Sequence, residues 1–206
     1  MSQQETGFLV MFAEALSAAA ARRRMAARSI PTNGNDRRLL ADLIAQQGGY
    51  WVLIEFKDSA AGAAAERDKP LVPSVCRWLR ADPVAAGMHE RAHHFSENHA
   101  RDLGFWVYRT KVCSLQPSPP TMLSEQFFSS LLTTSPTVGL NTADFLDYVE
   151  RLLAQTASGK GGAQDVVLAV AVIPDTCYHD ELSLPDLVQM LSPSPDVEPD
   201  PPGWKP

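Results

Sequence analysis

With 206 residues, 45% of them hydrophobic, the chain can bury the core of one domain of about 150 to 190 residues and still carry tails. Its formal charge of −6 argues against a protein that grips nucleic acid over a wide surface, because phosphate binding rests on Lys and Arg releasing counterions; a local basic groove is still compatible with it. No apolar run approaches the roughly 18 to 20 residues of a membrane-spanning helix.

The charge is uneven: Arg22, Arg23, Arg24, Arg28, Arg37 and Arg38 make the front basic, while acids crowd the stretch after Asp175. Glu5 precedes the short apolar run Phe8 to Phe12 and the arginines come only later, the reverse of a secretory signal. Cys76, Cys113 and Cys177 show no CxxC spacing and cannot all pair within one chain, which suits a reducing, cytoplasmic compartment.

In chain order, residues 7–28 predict a helix, with Phe8, Met11, Phe12, Ala15, Leu16 and Ala19 on one face, followed by a loop at residues 30–35. Residues 37–47 carry two signals. Leu39, Leu40, Leu43 and Ile44 have helical spacing, yet Gly48-Gly49 separates them from a second apolar run, and Gly-Gly between two such runs marks a hairpin. The hairpin is preferred, pairing residues 37–47 with the strand Tyr50 to Lys57. Helices are expected at 59–67, 75–80 and 84–101, the last holding four of the five histidines. A strand at 103–112, rich in aromatic and β-branched residues, leads into a linker marked by Pro117, Pro119 and Pro120. Helices at 124–132 and 142–154, a Gly159–Gly162 turn, a strand at 165–173 covered on both faces and a short helix at 184–191 complete one α/β domain over residues 1–191. The Pro- and Asp-rich residues 192–206 form a disordered tail.

Period two places Glu55 and Lys57 on the same side of their strand, and the hairpin brings Asp42 alongside Glu55. Two neighbouring carboxylates repel and are reconciled by a divalent cation such as Mg²⁺, which prefers oxygen ligands. A lysine beside them offsets charge on a phosphate under attack.

The series Leu40-Ala41-Asp42-Leu43-Ile44, a Gly-Gly turn, then Leu53-Ile54-Glu55-Phe56-Lys57 resembles the PD-(D/E)XK, or restriction-endonuclease-like, nuclease core, which has an acid on one strand and E-x-K on the next. The resemblance covers residues 8–112, with residues 121–191 as an extension, and departs at Ala41, where proline often stands. It implies a central mixed β-sheet flanked by helices. It also implies a metal-dependent nuclease acting on DNA, with Asp42 and Glu55 holding Mg²⁺ or Mn²⁺, Lys57 assisting the attacking water and Glu14 adding an optional acid from the preceding helix. A protein partner or homodimer would set substrate choice, and a bacterial antiviral-defence or mobile-element setting follows from the resemblance alone. A non-catalytic nuclease-fold subunit is the alternative within that fold.

A competing constellation is His89-Glu90-Arg91-Ala92-His93, which matches the H-E-x-x-H zinc signature, with His99 as a third ligand of a metallopeptidase. Arg91 stands where that pattern is usually apolar, and the plainer expectation is a histidine-rich helix partly exposed beside the acids. Trp51, Trp78, Phe105, Trp106 and Tyr108 are expected in the core rather than as base-stacking platforms.

Overall fold

The structure is a computed structural model and describes residues 3–32, 35–114, 118–155, 162–172 and 178–192. Helix α1 (Gln3–Arg22) ends earlier than its periodicity suggests, because Ala27–Pro31 becomes an unpredicted strand, β1, whose pairing with β2 (Leu43–Gln47) outweighs local helix propensity. The hairpin is realised by β2 and β3 (Tyr50–Lys57), from Gln47↔Tyr50 to Leu43↔Ile54. Gly48 and Gly49 both have positive φ, 52° and 81°, as a two-residue loop that matches strand twist requires. The helical signal in residues 37–47 is also real but short. Helix α2 (Asp36–Leu39) takes it, and Leu40, left-handed at φ 52°, ends it. Asp42 therefore stands immediately before β2, not within a strand spanning 37–47.

Helices α3 (Ala60–Arg67), α4 (Val72–Ala81) and α5 (Pro83–Ala92) carry the chain to β4 (His93–His99), which runs parallel to β3 with Leu53↔His93 and Lys57↔Glu97. The single helix expected at 84–101 is thus split, since residues 93–99 gain a ladder on both sides. Strand β5 (Asp102–Val107) pairs antiparallel with β4, and the strand expected through 112 turns into helix α6 (Tyr108–Val112). Short strands β6 (Met122–Leu123) and β7 (Leu140–Asn141) pair with β5 and β3, giving a mixed seven-stranded sheet of order β1-β2-β3-β4-β5-β6 with β7 beside β3. Helices α7 (Ser124–Leu131) and α8 (Thr142–Leu153) fall where their stripes predict.

Strand β8 (Val167–Val172) is not the doubly covered strand expected: it pairs only with β9 (Tyr178–Ser183) in a separate hairpin, and Val167 is 45% exposed. Helix α9 (Leu184–Leu191) follows as predicted. Cys177, most of the glycine turn and the tail after Ser192 lie outside the described residues.

Alternation along β3 sorts the two cores. Val52, Ile54 and Phe56 face α1 and α7, meeting Phe12, Leu16 and Phe127. Trp51 and Leu53 face the opposite layer, with Val75, Leu79, Ala85, Tyr148 and Leu152 of α4, α5 and α8. Trp51, Phe105, Trp106 and Tyr108 are buried in these cores, as expected. Cys76 of α4 and Cys113 after α6 form a disulfide, Cα–Cα 5.6 Å, a pairing that their 37-residue separation concealed. Among the described residues no helix is long and apolar enough to cross a membrane.

Candidate active site

Three backbone carbonyls in a row fix the approach to Asp42. The Leu40 carbonyl accepts from His93 Nε2 (2.7 Å), that of Ala41 from the Thr32 hydroxyl (2.8 Å), and that of Asp42 from the Thr32 N–H (3.0 Å). The Asp42 N–H donates to the Ile54 carbonyl at 2.9 Å, and the carboxylate Oδ2 accepts from the Phe56 N–H at 2.8 Å. Asp42 is thereby clamped across the end of β3, on the face that carries Glu55 and Lys57.

Lys57 Nζ donates to Glu55 Oε1 at 2.5 Å and to the Phe56 carbonyl at 3.0 Å, and it lies 3.9 Å from Asp42 Oδ2. The three predicted residues therefore converge around one ammonium. The fourth does not join them: Glu14 is exposed on α1, which packs on the opposite face of the sheet through Phe12 and Leu16.

Three further residues complete the cluster. Lys69 Nζ donates to the same Glu55 Oε1 at 2.9 Å and lies 2.7 Å from Glu66 Oε2; Lys57 is 3.7 Å from that oxygen; and the Tyr108 hydroxyl donates to Glu66 Oε1 at 2.8 Å. Helix α3 approaches closely because residue 62 is glycine: a Cβ there would stand 3.0 Å from the Lys57 Cβ and Cδ. Both glutamates are fully buried, whereas the lysine side chains are 12% and 22% exposed, so the lysines form the more open side of the cluster. A trace of Glu66 and Lys69 exists in the sequence, since they are the first long charged pair at i,i+3 after an alanine-rich stretch. Which way that helix turns them is decided only by packing on β3.

Three buried carboxylates against two ammonium groups leave unfavourable negative charge, and the acids respond. Burial, reinforced by the Glu55 charge, pushes Asp42 up to about 6. Burial and then the adjoining Glu66 carboxyl push Glu55 up to about 7. Burial is the largest single effect on each lysine and lowers both, but the combined charges of Glu55 and Asp42 at Lys57, and of Glu55 and Glu66 at Lys69, outweigh it, and both are held above the ordinary lysine range. Glu55 Oε2 is buried without a hydrogen-bond partner. A cation or a proton is what that oxygen lacks.

The histidines are used differently from a zinc signature. The Arg109 N–H donates to His89 Nε2 (3.1 Å), which leaves His89 Nδ1 as donor to the Tyr148 hydroxyl (2.7 Å). That hydroxyl then donates to His93 Nδ1 (2.8 Å), and His93 Nε2 donates to the Leu40 carbonyl. Every ring nitrogen of the pair is engaged. Burial holds His93 down at about 3 and His89 well below its usual value. Glu90 is on the surface, paired with Arg109, and His99 is exposed at the end of β4. His89, His93 and His94 are buried, not partly exposed as expected, and among the described residues no three His, Cys, Asp or Glu side chains are placed to share a metal ion.

No family model matches the chain, and neither the curated proteins nor the solved structures contain a match. The chain is an α/β protein with a mixed sheet and a buried carboxylate–lysine cluster at one end of it.

Proposed function

We propose that the protein is a metal-dependent nuclease with a restriction-endonuclease-like core, hydrolysing phosphodiester bonds of DNA. The meeting of Asp42, Glu55 and Lys57 around one point carries this reading. The element order supports it: a helix, an acid at the head of one strand, E-x-K at the end of the next, helices, and a strand returning parallel beside it.

Mg²⁺ or Mn²⁺ suits the donors on the chain. Asp42 and Glu55 would supply carboxylate oxygens, including the unpartnered Glu55 Oε2. Two carboxylates with the remaining positions left to water is a common Mg²⁺ arrangement. Such an ion lowers the pKa of a bound water and stabilises negative charge on phosphate. The chain's own residues do the rest. The Phe56 N–H and the braced carbonyls of residues 40–42 orient Asp42, Lys57 offsets charge that develops on the phosphate, and the buried walls keep these interactions strong. Protons compete with the ion at Glu55, so activity is expected to climb as pH rises through about 7.

DNA as substrate, and a partner or second copy that selects it, rest on the resemblance. The test is incubation of the purified chain with plasmid and single-stranded DNA in Mg²⁺ or Mn²⁺. Cleavage that falls at least about 100-fold in Lys57→Ala and in Glu55→Ala is expected, the scale on which loss of transition-state charge stabilisation acts; unchanged cleavage in both sinks the reading. A second reading, a non-catalytic nuclease-fold subunit, is favoured by the two ammonium groups that already neutralise Glu55 Oε1. Partner binding without cleavage in either metal would select it.

A further inference from the structure

We propose that Lys57 and Lys69 form a phosphate-binding pair whose position is kept by Glu66, and that the pair is matched to a phosphodiester within a strand rather than to a terminal phosphate. The proposal rests on the nuclease reading for the event that frees the pair, and on the geometry of the cluster for everything else.

Glu55 Oε1 is the acceptor shared by the two ammonium groups, at 2.5 and 2.9 Å. A cation bound to Glu55 competes with both for that oxygen. The anion then left to hold them is Glu66, 2.7 Å from Lys69 and 3.7 Å from Lys57. Glu66 is held in place from the side away from the lysines. Its other oxygen accepts from the Tyr108 hydroxyl at 2.8 Å, and the buried Tyr108 ring lies 4.5 Å from the His93 ring, so the anchor is itself anchored. Glu66 thus serves as the counter-ion of the lysines, and Tyr108 as its positioning residue.

Direction and charge identify the ligand. The lysine side chains are the more exposed part of a cluster whose glutamates are fully buried, so an incoming anion approaches from the side of Lys57 and Lys69. Three carboxylates and two ammonium groups carry one surplus negative charge, which a divalent cation converts into one surplus positive charge. A phosphodiester, with a single negative charge, cancels it; a terminal phosphate monoester brings nearly two and overfills the site. The pair therefore points to a phosphodiester linkage rather than a phosphate monoester as the group bound.

Binding is read by thermal unfolding of the full chain in Ca²⁺, with the dinucleoside monophosphate TpT, which has one internal diester, and with thymidine 5′-monophosphate. TpT near ten times its dissociation constant is expected to raise the Tm by about 3–6 °C. The rise should be lost in Lys69→Met, recovered in Lys69→Arg, and cut in Glu66→Gln, which keeps an acceptor for Tyr108 but not the charge. Circular dichroism checks that each variant folds. An equal rise in wild type and folded Lys69→Met, no rise in wild type, or a larger rise with the monophosphate overturns the proposal. The two readings fail separately: wild-type DNA cleavage with TpT binding indifferent to Lys69 removes the lysine pair alone, whereas Lys69-dependent TpT binding with no cleavage removes the nuclease reading alone.

Discussion

Glu55 of β3 and His93 of β4, on neighbouring parallel strands, carry opposite pH signatures. The folded chain holds the Glu55 carboxyl at about 7, above its ordinary 4.5, so its protonated form is favoured by folding. That contribution is full below about 4.5 and disappears as pH rises through 7. Glu55→Gln is therefore expected to be stabilising relative to wild type at pH 8 and nearly neutral at pH 5, measured by urea unfolding at the two pH values. His93 is held at about 3 against an ordinary 6.5, so its contribution is present above 6.5 and lost as pH falls toward 3. His93→Gln, which can still donate to the Leu40 carbonyl but leaves the Tyr148 hydroxyl with a poorer partner, should cost about 1–3 kcal/mol at pH 7. The gap should narrow at pH 4, and a constant gap would show that the neutral imidazole is not what the fold selects.

At the scale of elements, the hairpin decides whether a site exists at all, and its signal was legible because two glycines can adopt a conformation that other residues resist. Gly48 has open space around it, so Gly48→Ala tests backbone alone; a loss of about 1–2 kcal/mol in a denaturant titration is expected from the left-handed φ of 52°. Asp42, Glu55 and Lys57 were legible for the same reason, since strand alternation and hairpin register follow from local sequence. Strands β1 and β4 were not. Ala27–Pro31 and His93–His99 have no strand-like alternation of their own and become strands because the neighbours they pair with are already in place. Glu66 and Lys69 were missed because the packing of α3 on β3 decides which way they turn, and Tyr108 because two further helices and a parallel crossover separate it from that helix. The H-E-x-x-H spacing was legible and led elsewhere: its glutamate faces solvent, and its histidines turn inward to a tyrosine 55 and 59 residues away.

Across the whole molecule, the layer that covers the site is tied covalently. The bond between Cys76 and Cys113 joins α4 to the end of α6, the helix that supplies Tyr108 to Glu66 and the Arg109 N–H to His89. With its ends 37 positions apart in sequence, reduction by dithiothreitol should lower stability by about 2–4 kcal/mol, read as a shift in the urea midpoint. The same bond has a topological consequence for a broken chain. Arg101 is exposed in the β4–β5 turn, at φ 72°, and lies inside the closed segment from 76 to 113. A single tryptic cut after Arg101 separates Asp42, Glu55, Lys57, Glu66 and Lys69 from Tyr108 in sequence but not in space. The nicked protein should migrate as one species on a non-reducing gel and as two on a reducing one.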